Sequence, residues 1–216
     1  MSLILAIRAN GKVYFCSDKR VTCGATIERD QTKLVILSSR ASGQPVDIVL
    51  GVCGDMRMLT ILKDPRNQAK LLQHYQEAPT IYGLVDGIKA IVEANGAQVK
   101  NQPGGTGNYV LSLVVAIDSD LYEVGTDLTI DLVPLNDLAA SGSGALIASA
   151  FWAGRTGRAI NNQHNVHAFI DAARRAMSPS VVMEEELFNC LRYVASVDSG
   201  VGTHVTGHAY DLQNPA

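Results

Sequence analysis

The chain has 216 residues, 47% of them hydrophobic and 18% charged, with a formal net charge of −3. This size and apolar content suit one domain, residues 1–216, with a large core. The weakly acidic balance supplies no basic face for nucleic acid, and no apolar run approaches the ~18–20 residues of a membrane-spanning helix. The four cysteines, Cys16, Cys23, Cys53 and Cys190, show neither CxxC nor metal-ligand spacing. They read as reduced thiols in a cytoplasm, and no signal peptide precedes the first strand. No metal or cofactor is expected.

The chain opens with two β-prone runs, residues 3–8 and 13–17, flanking the turn dipeptide Asn10-Gly11. That pattern predicts a hairpin. Residues 21–27 read as a continuing extended stretch with a bend at Gly24, and 32–37 and 46–50 as two further strands. Helical spacing follows over 56–62 and 68–76, interrupted at Pro65, and over 82–95, where Leu84, Ile88, Ile91 and Val92 share a face. The glycine-rich stretch 101–108 is a loop; no Lys-Ser/Thr pair follows it, so it is not a phosphate loop. Strands are predicted at 109–117, 121–125 and 128–133. Residues 136–144 form a strand end feeding a helix over 145–154, with more helix at 167–177 and 183–195. A glycine-rich turn at 198–202 and a strand over 204–212 close the chain. Segregated runs of strands and helices point to an α+β fold with two antiparallel sheets between helical layers.

Two chemical features stand out. Ser2 follows the initiator methionine, and removal of that methionine leaves a hydroxyl beside its own α-amine. The amine, with an unperturbed pKa of about 7.7–8.0, can accept the hydroxyl proton near neutral pH. The histidines offer less. His204 and His208 on one strand face would lie roughly 13 Å apart, too far for one metal ion. The acidic run Glu184-Glu185-Glu186 at a helix start suits the helix dipole.

Four segments, in order and at matching distances, resemble the proteasome β-type subunits and the ring peptidase of the bacterial two-component ATP-dependent protease. These are N-terminal nucleophile hydrolases. The segments are the hairpin beginning at Ser2 and ending Ser17-Asp18-Lys19-Arg20; Lys33, fifteen residues after Asp18; the stretch from Asp47 to Gly54; and Asn136 to Gly144. The resemblance covers about residues 2–155. It implies a four-layer αββα sandwich and a peptidase that cuts unfolded polypeptide inside a self-assembled ring or stacked rings, fed by an ATP-dependent unfoldase. Ser2 would be the nucleophile. Lys33 would keep the neighbouring amine neutral, Asp18 would hold Lys33 as a cation, and the Gly54 N–H would face the oxyanion. Ser143 would stand near the amine, or cap the following helix. Thr22 and Gly24 would pair with an extended substrate, and Val52 would contribute an apolar pocket.

The sequence departs from this pattern at two points. Serine replaces threonine at the nucleophile. The late aspartate falls on Asp198, where Val201 stands in place of the pattern's serine; an alternative register places that turn at residues 175–178, without an aspartate. Two other functions stay open on the same fold: an inactive ring or scaffold subunit, and an amidase or acyl transferase acting on a small molecule. Adjacent Phe151 and Trp152, together with Met56, Met58 and Leu59, suggest an assembly surface because neighbouring helix residues face different directions.

Overall fold

The computed structural model describes residues 3–23, 27–39, 46–96, 111–117, 119–156, 183–198, 201 and 205–210. Ser2, Gly24, the loop at 101–108, the helix expected at 167–177 and the alternative turn at 175–178 lie outside them. The opening hairpin is β1 (Leu3–Ala9) and β2 (Lys12–Asp18). Asn10 and Gly11 between them have φ of 54° and 74°, the pair of positive angles that a type I′ turn requires. The resulting register sets Ile4 opposite Ser17 and Ala6 opposite Phe15.

The extended stretch expected at 21–27 is instead two strands, β3 (Arg20–Cys23) and β4 (Ile27–Asp30). They pair antiparallel, Cys23 with Ile27, as a small sheet of their own. Next come β5 (Leu34–Ser39), β6 (Val46–Gly54), β7 (Leu111–Ile117), β8 (Asp120–Val124) and β9 (Ile130–Leu132), which form a five-stranded antiparallel sheet in chain order. The other large sheet has the order β10–β1–β2–β11, where β10 is Leu138–Gly142 and β11 is Val205–Tyr210. The last strand therefore closes onto the first hairpin, with Val205 opposite Asp18.

Three helices, α1 (Met56–Lys63), α2 (Pro65–Glu77) and α3 (Ile81–Ala94), cover the five-stranded sheet, while α4 (Ala145–Thr156) and α5 (Met183–Val197) cover the four-stranded one. The break between α1 and α2 is written locally. Asp64 caps α2 by accepting from the Arg66 amide at 2.8 Å, and Pro65 takes the first helical position, where its missing N–H costs nothing. Among the described residues no helix is long and apolar enough to cross a membrane.

Strand alternation sorts the side chains into three cores. On β6, Ile48, Leu50 and Val52 point to the helices α1–α3, whereas Val49 and Cys53 point between the sheets. On β1, Leu3, Leu5 and Ile7 meet α4 and α5, and Ile4 and Ala6 enter the inter-sheet layer. Sheets buried on both faces read as near-continuous apolar runs, which is why these strands show little alternation in sequence. Each fully buried Leu, Ile or Val contributes roughly 1.5–3 kcal/mol relative to exposure.

The helical layer corrects one expectation. Phe151 and Trp152, 3% and 5% exposed, are both buried in the same cluster. Helix α4 is flanked by the sheet and by α5, so positions about 100° apart on it are covered together. Met58 and Leu59 are buried under α1–α3 as well, with Met56 partly so. None of these residues argues for an assembly surface. Glu186 also does more than suit a helix dipole: its two oxygens accept from Arg155 Nη2 at 2.7 Å and Nε at 3.1 Å, tying α4 to α5. The fork geometry suits a pair with so little water around it.

Glu123 links the two sheets on the other side. Its Oε1 accepts the Ala140 amide of β10 at 2.6 Å, while Asp131 lies directly opposite on β9. Burial holds its carboxyl above the usual value of 4.5; the Ala140 N–H opposes that, and the Asp131 charge adds to it. The folded state therefore binds this proton more tightly than the unfolded one, and stability is lost as pH rises from the unfolded value through the raised one. In thermal melts, Glu123→Gln should match the parent at acidic pH and melt increasingly higher than it as pH rises past the usual carboxylate value of 4.5 toward neutrality.

Candidate active site

The end of β2 carries a buried ion pair. Asp18 Oδ1 accepts from Lys33 Nζ at 2.7 Å and from the Leu3 backbone amide at 2.7 Å. Both charged side chains are essentially inaccessible, 0% exposed for Asp18 and 2% for Lys33. A buried ion pair of this kind survives only with close geometry and further hydrogen bonds, and the Leu3 amide supplies one. The β1–β2 register delivers it, because Ile4 opposite Ser17 leaves Leu3 N–H at the strand end beside Asp18.

The Lys33 backbone is held from two sides. Its carbonyl accepts the Val52 amide at 2.9 Å, extending the β5–β6 ladder by one residue. The preceding carbonyl, of Thr32, accepts from Lys63 Nζ at the end of α1. The lysine therefore reaches Asp18 from a rigid base in the other sheet.

Gly54 ends β6 with φ of 122°, a conformation open to glycine and strained for other residues, and Asp55 then caps α1 by accepting from the Arg57 amide at 2.9 Å. Gly142 ends β10 with φ of 112°, and the exposed Ser143 follows it in the turn before α4. Gly144 has no room for a side chain: a Cβ there would come within 2.6 Å of Val194 Cγ1, 3.2 Å of Val201 Cγ2 and 3.4 Å of Leu3 Cδ2. This one contact point brings together the start of β1, the Ser143 turn and the turn after α5. Asp198 opens that last turn, its carbonyl accepting the Val201 amide at 3.0 Å.

The structure thus gathers Asp18 and Lys33 directly. It sets Gly54 at the end of the strand whose Val52 amide holds Lys33, and it brings the Ser143 and Asp198 turns against Leu3. Thr22 lies on β3 opposite Glu28. Val52, expected as a pocket wall, is 3% exposed and packs in the cluster beneath α1–α3, so it is a core side chain. Ser2 and Gly24 lie outside the described residues.

Sequence reasoning missed a polar group beneath this site. Cys53 Sγ donates to the Ser141 carbonyl at 3.1 Å, and the hydroxyls of Ser141 and Ser112 are 2.7 Å apart. Ser17 Oγ is buried on the same inter-sheet side of β2 as Phe15 and has no hydrogen-bond partner among the described residues. Strand parity was the available signal: Ser17 shares a face with Val13 and Phe15, Ser112 with Val114 and Ala116, and Ser141 with Ala139.

No protein-family model and no curated protein sequence matches the chain. Solved structures do. Eukaryotic HslV from Trypanosoma brucei aligns over 96% of this chain and 98% of its own, with 16% identity and a TM-score of 0.51. BPH from Thiobacillus denitrificans, in complex with epoxomicin, aligns over 99% and 100%, with 15% identity and a TM-score of 0.61. The Anbu complex from Pseudomonas aeruginosa, solved as a helical assembly, aligns over 97% and 83%, with 11% identity and a TM-score of 0.59. With two antiparallel sheets between helical layers and these neighbours along nearly its whole length, the chain has the four-layer fold of the proteasome β-type N-terminal nucleophile hydrolases.

Proposed function

We propose that the chain is a peptidase subunit of proteasome type that uses Ser2, freed by removal of Met1, as its nucleophile. The observation that carries this reading is the buried Asp18–Lys33 pair with the Leu3 amide on the same carboxylate oxygen. Ser2 is covalently bonded to that amide nitrogen, so its freed α-amine would lie within a few bonds of the group that shares the Asp18 oxygen with Lys33. A neighbouring cation disfavours protonation of the amine, leaving it free to accept a proton near neutral pH. In the reaction the amine takes the Ser2 Oγ proton as oxygen attacks the peptide carbonyl carbon. The Gly54 N–H stabilises the oxyanion, the C–N bond breaks as the departing amine gains the proton, and water then hydrolyses the ester. Ser143 and Asp198 support the amine from the turns packed against Leu3. Thr22 and Gly24 are the proposed partners of an extended substrate.

An inactive ring subunit is the second reading, favoured by Val201: where the resemblance has a serine, this chain buries a valine, 2% exposed, among Leu3, Val194 and their neighbours. Either subunit would sit in the cytoplasm, in keeping with the buried thiols of Cys16, Cys53 and Cys190. Self-assembly is proposed for both, since the Pseudomonas Anbu structure is a helical assembly and Tyr82 on α3, Leu146 on α4 and Val197 on α5 remain exposed apolar side chains. An ATP-dependent unfoldase supplying unfolded polypeptide completes the peptidase reading.

Three measurements check these readings. A peptide epoxyketone such as epoxomicin should label Ser2 of the parent and leave Ser2→Ala unmodified by intact mass. An unlabelled parent, or one that keeps Met1 throughout, points to the inactive subunit. Asp18→Asn, which strips the charge partner from a buried lysine, should cost ~3–5 kcal/mol in denaturant unfolding, and the double variant Asp18→Asn/Lys33→Met should recover much of it. Light scattering at micromolar concentration should report a mass several times the 23.1 kDa of one chain; a monomer would refute assembly.

A further inference from the structure

Both turns at the candidate site leave their strands through a glycine with positive φ, Gly54 after Cys53 and Gly142 after Ser141. The two strands, β6 and β10, belong to different sheets. They are joined one residue before each glycine, where Cys53 Sγ donates to the Ser141 carbonyl at 3.1 Å. Ser141 also meets Ser112 through hydroxyls 2.7 Å apart, and Ser112 is the cross-strand neighbour of Cys53 on β7. Three residues therefore close a loop of contacts: one ladder pairing within the five-stranded sheet and two hydrogen bonds to the four-stranded sheet.

Elsewhere this layer is filled by Ile4, Phe15, Val49, Val114 and Ala116, whose contacts hold the sheets together without fixing their lateral position. Hydrogen bonds are directional and lose strength when donor and acceptor slide apart. Glycine turns carry no side chain that could anchor them, so their placement depends on the strand ends behind them. We propose that Cys53, Ser112 and Ser141 are positioning residues, a clasp across the sheets that holds the Gly54 and Ser143 turns at a fixed separation beside the Asp18–Lys33 pair. The catalytic consequence rests on the peptidase reading above; the clasp itself does not. The thiol serves as a donor, not as a nucleophile. Burial pushes it up to about 11 against the lowering effects of the Ser141 hydrogen bond and the Lys33 charge, so it keeps its proton at neutral pH.

The test compares Cys53→Ala, Cys53→Ser and Ser112→Ala with the parent by residue-resolved amide hydrogen exchange and by peptide turnover. Cys53→Ala should speed exchange about tenfold at the bonded amides beside the clasp, Val52 on the Lys33 carbonyl and Ala140 on Glu123, while leaving α2 unchanged, the scale expected for one lost hydrogen bond. It should lower kcat by a similar factor with KM nearly constant, and Cys53→Ser, which keeps a donor, should restore most of both. Cys190→Ala is the control. That thiol is 3.6 Å from the Ala148 carbonyl in the helical core, so its loss should lower the melting temperature without touching exchange at the Val52 and Ala140 amides. If Cys53→Ala does not fold, Ser112→Ala carries the comparison, since it keeps the thiol bond and removes only the second link. Exchange at both amides that stays at the parent rate, or shifts no more than in Cys190→Ala, overturns the clasp. A parent that neither cleaves peptides nor labels ends the peptidase reading, and the exchange rates still decide the clasp.

Discussion

A carboxylate placed in a dry interior costs several kcal/mol unless donors surround it. Asp18 meets that demand by drawing a lysine from one sheet and a backbone amide from the other onto a single oxygen. Much of the architecture around the site follows. The β1–β2 register must stop with Leu3 beside Asp18, and the start of β5 must be pinned so that Lys33 reaches across. The ladder bond from Val52 and the grip of Lys63 on the Thr32 carbonyl do that pinning. The same constraint makes Asp18 and Lys33 poor candidates for independent drift, because losing either leaves the other charge buried.

Around this pair the fold separates two kinds of packing. The helix-facing cores are apolar and broad, and they absorb residues such as Phe151 and Trp152 that appear incompatible in a linear reading. The layer between the sheets is apolar through most of its extent and polar at one end, where Ser17, Cys53, Ser112 and Ser141 collect near the ion pair. Polar groups in a buried layer raise its directionality at the expense of hydrophobic contact. Their concentration at the end bearing Gly54 and Ser143 matches a need for geometry there rather than for stability.

Close approach is the other recurring device. Gly144 lets Leu3, Val194 and Val201 meet, and Gly51 lets Ile4 of the opposite sheet come in, a Cβ there falling 2.7 Å from Ile4 Cγ2. Through these two positions the first strand is clamped against both β6 and the turn after α5. The first strand is thereby set by contacts made far along the sequence.

Local chemistry in the sequence determined the hairpin at Asn10-Gly11, the helix break at Asp64-Pro65, the strand-to-helix glycine turns and the class of fold. Each of these depends on backbone propensities within a few residues. The spacing of Asp18 and Lys33 was visible as well, but only the folded chain made it a bond, because the pairing crosses from one sheet to the other. Tertiary structure alone decided that β3 and β4 pair as a separate sheet, that Val52 faces the helices, and that Phe151 and Trp152 share one core. It also decided that Cys53 meets Ser141 across 88 residues of sequence. Those outcomes depend on which surfaces the packing of layers brings opposite one another, a long-range choice that no local pattern of residues records.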